Sequence, residues 1–561
     1  MVHNGSVTSP RRVLLVAAVS LMHGCTADLD PLSSEPTDRV VWRPGGTFEE
    51  GPEVVCEAPL TTPFRYEREE AARGLVDAAP VLLDEEDPFR VPRRSVVAED
   101  LDDDGDVDLL IARPDGLPLV HINDGTGHFV TSDIFAPVIT DDEEHLEVDL
   151  YGVADLDGDR LPDLVGSWVE SGIFVSYNLG GGDFGPLLTV DPGPVETETV
   201  EAQAVTFGDI DADGDLDVLL VTSHVEDDDA VSSPDQIFRN DEGALSFWFS
   251  VATADGDGVS SQAAMFTDRD GDGDADLLVL SNAGVEGLGT GFWENRGGAP
   301  GQTPTLVERS VEWSADVQMV AMGVDSADLN GDGWLDYCGS DIGPPTCLLS
   351  QGGDGYVQGA AAIGVQAPEA PSGQPQTVGW SVEFADLDND GALDLLHASG
   401  YDRWSLELGR TEWPDLLWMG SPQGFALADV GFDDPAPHYG LAAADLDGDG
   451  WLEVITAGPP EPPALFRTEC GPENWVRVEL RGPPENPQGI GARVEVVTPQ
   501  GPVIREVHGV RASGQSPSSV HMGLGSSQVA SSLMVRWPDG FVTEARDLPA
   551  RRVVTAVHPE G

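Results

Sequence analysis

A nine-residue acidic line, DLDDDGDVD at residues 100–108, returns six more times along the chain at intervals of 54 to 60 residues. The copies are DLDGDRLPD from Asp155, DIDADGDLD from Asp209, DRDGDGDAD from Asp268, DLNGDGWLD from Asp328, DLDNDGALD from Asp386 and DLDGDGWLE from Asp445. Oxygen side chains stand at positions 1, 3, 5 and 9, and all copies but the second have glycine at position 6, where the chain must turn sharply. Several carboxylates converging on one point is the ligand set of a hard cation. Up to seven calcium ions are therefore expected. Their ligands would be Asp100, Asp102, Asp104 and Asp108; Asp155, Asp157, Asp159 and Asp163; Asp209, Asp211, Asp213 and Asp217; Asp268, Asp270, Asp272 and Asp276; Asp328, Asn330, Asp332 and Asp336; Asp386, Asp388, Asp390 and Asp394; and Asp445, Asp447, Asp449 and Glu453.

An EF-hand loop closes with a glutamate at position 12. That position here holds Ile111, Gly166, Leu220, Val279, Gly339, His397 and Thr456, so the EF-hand is excluded and the ninth acid must close the site. The loops are not equal. Arg160 places a cation and a Cβ at the tight turn of the second loop, which predicts the weakest binding there. Asn330 offers a neutral oxygen, and Glu453 has the length to bind through both of its own.

A second marker follows each loop, an apolar pair and then a polar or glycine-rich turn, as in VHINDGTGHF from Val120, SYNLGGGDF from Ser176 and IFRNDEGALSF from Ile237. Segments such as DLLIAR, DVLLVTS and DLLHASG read as short strands, and no helical periodicity runs far. About four strands per unit, repeated seven times, predict an all-β, seven-bladed β-propeller over residues 46–473. Because a blade cannot bury both faces alone, the ring must close. The seventh unit lacks an outer strand, and a segment near Cys56 is expected to supply it. From residue 474 the acidic loops stop, and alternating strands predict a small antiparallel β domain over 474–561.

With 28 basic and 100 acidic residues the net charge is −72, which excludes nucleic acid as a partner and restricts membrane contact to an anchor. Apolar residues make up 40% and tryptophans number 13, so packed cores rather than a disordered chain are expected. Arg11 and Arg12, an apolar run over 13–22, then Gly24 and Cys25 read as an export signal over 1–25. Cys25 is a candidate lipidation site, with ordinary secretion as the alternative, and 26–45 reads as a flexible tether. Export implies an oxidising compartment. The remaining four cysteines allow three pairings; Cys338–Cys347 is the local bridge, and Cys56–Cys470 would latch the ring ends.

The paired markers resemble the FG-GAP/VCBS repeats of integrin α-subunit propellers and of bacterial surface proteins. NWVRVELRG, NPQGIGARVEVV, SGQSPSSVHMGLG and VRWPDG resemble an ASPIC/UnbV domain, and the combination is similar to the cartilage acidic protein family and its bacterial relatives. The resemblance implies calcium ligation at the positions named above, with the loops on one face of the disc. It also implies an extracellular adhesion, recognition or scaffolding module with a protein or glycan partner. No catalytic motif occurs: GIGARV at 489–494 lacks the third glycine of a nucleotide loop, and neither G-x-S-x-G nor H-E-x-x-H is present. The chain is read as a non-enzyme. The rival is an enzyme or enzyme accessory, a polysaccharide-processing or oxidoreductase partner, using the propeller centre.

Overall fold

The computed structural model describes residues 42–56, 64–75, 95–113, 116–132, 148–168, 172–193, 200–224, 234–251, 261–281, 289–366, 377–400, 414–432, 434–458, 461–511 and 513–561. The export signal, Cys25 and most of the tether lie outside these residues.

Seven sheets, six of four antiparallel strands and one that adds a fifth, parallel strand, follow one another in a propeller-like arrangement. Blade 1 runs Val96–Glu99, Asp108–Arg113, Gly116–Asn123 and Phe129–Ser132, and blades 2 to 6 repeat this order. Their inner strands are Val148–Ala154, Val200–Gly208, Ser261–Thr267, Val324–Ala327 and Gly379–Ala385. Each inner strand packs on the next, and Gly440–Ala444 of blade 7 returns to Val96–Glu99. The inner strands are buried on both sides, as in the BBBBBBB pattern of Gly379–Ala385, because each lies between neighbouring blades.

Ring closure uses sequence from both ends. Blade 7 comprises Gly440–Ala444, Glu453–Gly458 and Glu461–Arg467, and its outer strand is Glu67–Arg68, with Glu67 paired to Arg467. The outer strand thus follows Cys56, and Cys56 is bonded to Cys470 across 414 residues. A chain-entropy estimate puts the contribution of a bridge closing so long a loop at roughly 4 to 5 kcal/mol, as an upper figure. Cys338 and Cys347 are bonded within blade 5, where they face each other across two paired strands.

The C-terminal residues form two packed sheets around Trp537, Val476, Val494, Met522 and Leu533. Here the sequence-based boundary needs correction. Arg43–Pro44, assigned to the tether, pairs in parallel with Phe541–Pro549, and Thr47–Glu50, assigned to the propeller, pairs with Arg552–Val557. One edge of each sheet would otherwise present unpaired strand groups, and the N-terminal segment covers it. Its alternation is too short to announce a strand in sequence.

Residues 505–511 and 513–516 leave the C-terminal domain and enter the ring axis, touching the inner strand of every blade. Gly514 and Gln515 pair with Val96 and Val97 of blade 1. The Gln515 side chain exchanges two bonds with the Val153 backbone of blade 2, at 2.9 and 2.7 Å. Thr206 of blade 3 donates to Val510 O at 3.2 Å, and Thr267 of blade 4 donates to Glu506 at 2.6 Å. Arg505 and Arg511 pair with Asp325 of blade 5 at 3.1 and 3.2 Å, and Arg511 with Glu383 of blade 6 at 3.1 Å. Ala443 N of blade 7 donates to Ser516 Oγ at 3.0 Å.

Candidate metal-binding loops

The seven acidic loops connect the first and second strands of each blade, so all lie at one end of the ring. Loop 1 shows how the sequence folds locally. Asp100 Oδ1 accepts from the Asp103 and Asp104 amides at 2.8 and 3.2 Å, and Oδ2 from the Gly105 amide at 2.9 Å. Asp104 Oδ1 accepts from Asp106 N at 3.0 Å. Asp108 is buried, and it accepts from Leu101 N at 3.0 Å and Asn123 N at 2.8 Å. The acids at positions 1, 5 and 9 therefore shape the loop through backbone donors as well as pointing oxygens into it. Position 9 is a clamp between loop and third strand, which sequence reading missed.

Position 3 differs. Asp102 Oδ1, both oxygens of Asp211, Asp270 Oδ1 and Asp447 Oδ1 are buried with no hydrogen-bond donor, and so are Asp386 Oδ1, Asp445 Oδ1 and Glu453 Oε1. A buried carboxylate oxygen without a donor is costly. In loops 1, 2, 3, 4 and 6, oxygens of three carboxylates lie within 4.8 Å of one another: Asp100, Asp102 and Asp108; Asp155, Asp157 and Asp163; Asp209, Asp211 and Asp217; Asp268, Asp270 and Asp272; Asp386, Asp388 and Asp394. The donor set and the orphaned oxygens fit a hard divalent cation.

The electrostatics agree with that fit. Burial pushes the Asp108 carboxyl up to about 7 against its two backbone donors, with Asp102 and Asp100 adding to the rise. Asp163 and Asp336 also reach about 7, and Asp217 about 9, each chiefly through burial. Asp276, Asp394 and Glu453 are raised well above the usual carboxylate range by burial and then by their acidic neighbours.

Three sequence expectations change in detail. Arg160 does occupy the left-handed turn, at φ 77°, where loops 1 and 3 have Gly105 and Gly214 at 91° and 104°. Its side chain is exposed, and its amide still donates to Asp155 Oδ2 at 2.6 Å, so the turn survives and the cation points away. Asn330 turns its amide nitrogen onto Asp336 Oδ1 at 3.1 Å, while its oxygen accepts from Asp332 N at 3.0 Å. Glu453 keeps the clamp role of position 9 with Oε2, which accepts from Leu446 N at 2.8 Å.

The asparagine of the second marker was a signal without an assigned role. Asn123, Asn178, Asn240 and Asn295 each donate Nδ2 to the second-position carbonyl of the preceding blade's loop: Leu446, Leu101, Leu156 and Ile210, at 2.7, 2.9, 2.8 and 2.9 Å. Their recurrence at one place in the marker could have revealed them. The C-terminal domain also reaches the loops. Gly523 N donates to Asp386 Oδ2 at 2.8 Å, Arg477 to Asp445 Oδ2 at 3.3 Å, and Asp155 N to Gln488 Oε1 at 2.9 Å.

The repeat described as FG-GAP-like matches residues 100–165, 155–220 and 328–397, and the family described as ASPIC and UnbV matches residues 482–561. The chain is 31% identical over 240 residues to cartilage acidic protein 1 of Xenopus tropicalis, covering 40% of this chain and 35% of that protein. It is 29% identical over 124 residues to the Mus musculus protein, covering 21% and 16%. The aligned parts thus span about a third of the first relative's length and about a sixth of the second's. Among solved structures, an Agrocybe aegerita lectin that recognises non-reducing terminal N-acetylglucosamine is similar with a TM-score of 0.41 at 19% identity, over 62% of this chain and 81% of that one. An exotype rhamnogalacturonan lyase is similar with a TM-score of 0.34 at 15% identity, over 67% and 61%. Repeated loop geometry and the two sequence matches together place FG-GAP-like repeats at residues 100–220 and 328–397 and an ASPIC and UnbV domain at residues 482–561.

Proposed function

We propose that the chain is an exported, calcium-stabilised recognition protein whose acidic loops hold the ring together and whose outer surfaces bind a protein or glycan partner. The observation that carries the calcium reading is the set of buried, donorless carboxylate oxygens at Asp102, Asp270 and Asp386, each inside a loop of converging acids. Calcium bound there would supply the positive charge that the fold withholds, so metal binding and folding are linked. Calcium suits these loops better than magnesium, because many carboxylates on a short irregular loop match its larger shell.

Export is supported by the two disulfides. No described helix is long and apolar enough to cross a membrane. Lipid anchoring at Cys25 belongs to the same reading and is tested by mass spectrometry of the mature N-terminus. A recognition role is favoured over catalysis at the propeller centre because residues 505–511 and 513–516 bond to the inner strands of the blades there.

The test is calorimetric titration of the chelator-stripped full chain with calcium, paired with melting curves. Saturable binding with a raised melting temperature is expected. No binding heat and an unchanged melting curve would remove the metal reading. A glycan array probed with the full chain, with and without chelator, tests recognition.

A further inference from the structure

Among the acidic loops, two face an arginine from their own blade at one structural position. The residue opposite the ninth acid on the third strand is Ile122, Tyr177, Glu294, Leu349 and Met419 in blades 1, 2, 4, 5 and 6, and it is Arg239 and Arg467 in blades 3 and 7. The placement follows from the ladders, since Leu109 faces His121, Val218 faces Phe238 and Val454 faces Phe466, one residue before each.

Both guanidinium groups turn onto positions 3 and 5 of their own loop. Arg239 Nη2 donates to Asp213 Oδ2 at 2.8 Å, and its Nε lies 3.5 Å from Asp211 Oδ2. Gly301 O accepts from Nη1 at 3.0 Å, and the Trp248 ring lies under the guanidinium at 5.4 Å. Arg467 places Nε and Nη2 at 2.8 and 2.7 Å from Asp447 Oδ2, with Asp449 Oδ2 at 3.8 Å. Asp211 and Asp447 are buried, with side-chain exposures of 0% and 9%. The bonds from Arg239 to Asp213 and from Arg467 to Asp447 are charge-assisted, and each occupies a carboxylate oxygen that an ion would need.

We propose that Arg239 and Arg467 are built-in counter-cations that divide the loops into two classes, with loops 3 and 7 binding calcium more weakly but keeping their shape without it. The inference rests on the calcium reading above and adds to it which loops fill last. The same register position holds an aliphatic side chain in blades 1, 5 and 6, so those loops have no guanidinium there and depend on the ion for neutralisation. Blade 7 is where the ring closes through Glu67–Arg68 and Cys470, and a self-neutralised loop there keeps the closure intact when calcium falls.

The test uses the full chain, purified in calcium and titrated by competition with a chromophoric chelator, for the wild type and for Arg239→Met, Arg467→Met and Arg239→Lys. The wild type is expected to show two affinity classes. Each methionine variant should move one ion from the weak class to the tight class, binding about tenfold tighter, on the scale of one lost competing charge-assisted bond. The same variants should melt lower than wild type in excess chelator and no lower in excess calcium. Arg239→Lys should retain the weak class. Variants that melt lower by the same amount in both conditions, with unchanged affinity, would show the arginines to be struts and overturn the inference while leaving the calcium reading standing. A wild type that binds no calcium would overturn both.

Discussion

Two sets of buried carboxylates in the same ring are neutralised in opposite ways. On the axis, Asp325 has no exposed side-chain surface and stands between Arg505 and Arg511, both from the C-terminal domain. Burial alone would raise its carboxyl, yet the two guanidinium groups hold it below its ordinary value. In the acidic loops the same residue type is buried among its own kind, and Asp276, Asp386 and Asp394 are driven well above the carboxylate range. At Asp325 the counter-charge comes from the protein itself, whereas several loop carboxylates keep a buried oxygen without a donor. Under the proposed calcium reading, the Asp325 cluster should ignore calcium and the loops depend on it.

The largest expected effect is calcium removal. Each loop that binds an ion adds about 2.7 kcal/mol at a hundredfold excess over its Kd, and several loops act together. Excess chelator should therefore lower the melting temperature by far more than any single substitution does, and an equal melting temperature in both conditions would erase the contrast. Next in size is Asp325→Ala, which leaves Arg505 and Arg511 buried without their shared partner at a cost of about 3 to 5 kcal/mol. Denaturant unfolding with and without calcium should give the same loss. A loss seen only without calcium would make the axis part of the metal system.

The pH dependence gives a third, smaller separation. Asp108, Asp163 and Asp336 sit at about 7 in the ion-free fold, above their unfolded values. A raised carboxyl costs the fold stability as pH climbs from the ordinary carboxylate range through about 7, so the melting temperature in chelator should fall across that window. With calcium present it should rise across the same window, because protons must leave before the ion binds. Asp325 has the opposite sign. Its contribution is present above the ordinary carboxylate range and is lost only on further acidification, with or without calcium. Melting curves from pH 4 to 8 in both conditions distinguish the two regions.

The smallest effect concerns loop 2. Arg160→Gly relieves a Cβ held at positive φ and should stabilise by about 1 kcal/mol. Arg160→Ala should change little, because the guanidinium is exposed. Tighter calcium binding by the alanine variant would restore the charge to the argument.

How much could be read in advance differs between residues. The acidic loops themselves were legible because their oxygens recur at fixed spacing seven times, with the turn glycine in all but the second. The asparagines at 123, 178, 240 and 295 were visible as a pattern but mute, since their partners are carbonyls on the preceding blade. Arg239 and Arg467 were invisible, because a strand places them opposite the ninth acid only once its register is known. The strands Arg43–Pro44 and Thr47–Glu50 were misassigned because their partners lie some 500 residues later.

The sequence by itself determined the repeat, the all-β character, the acidic loops and the change of composition at residue 474. These are local properties, set by spacing, turn chemistry and alternation within a few tens of residues. Tertiary structure decided which carboxylates meet an arginine and which keep a buried oxygen without a donor. It also seated residues 505–511 and 513–516 on the axis and joined residues 43–50 to the far end of the chain. Those outcomes depend on packing between segments distant in sequence, where charge, burial and strand edges are settled only when the ring has closed.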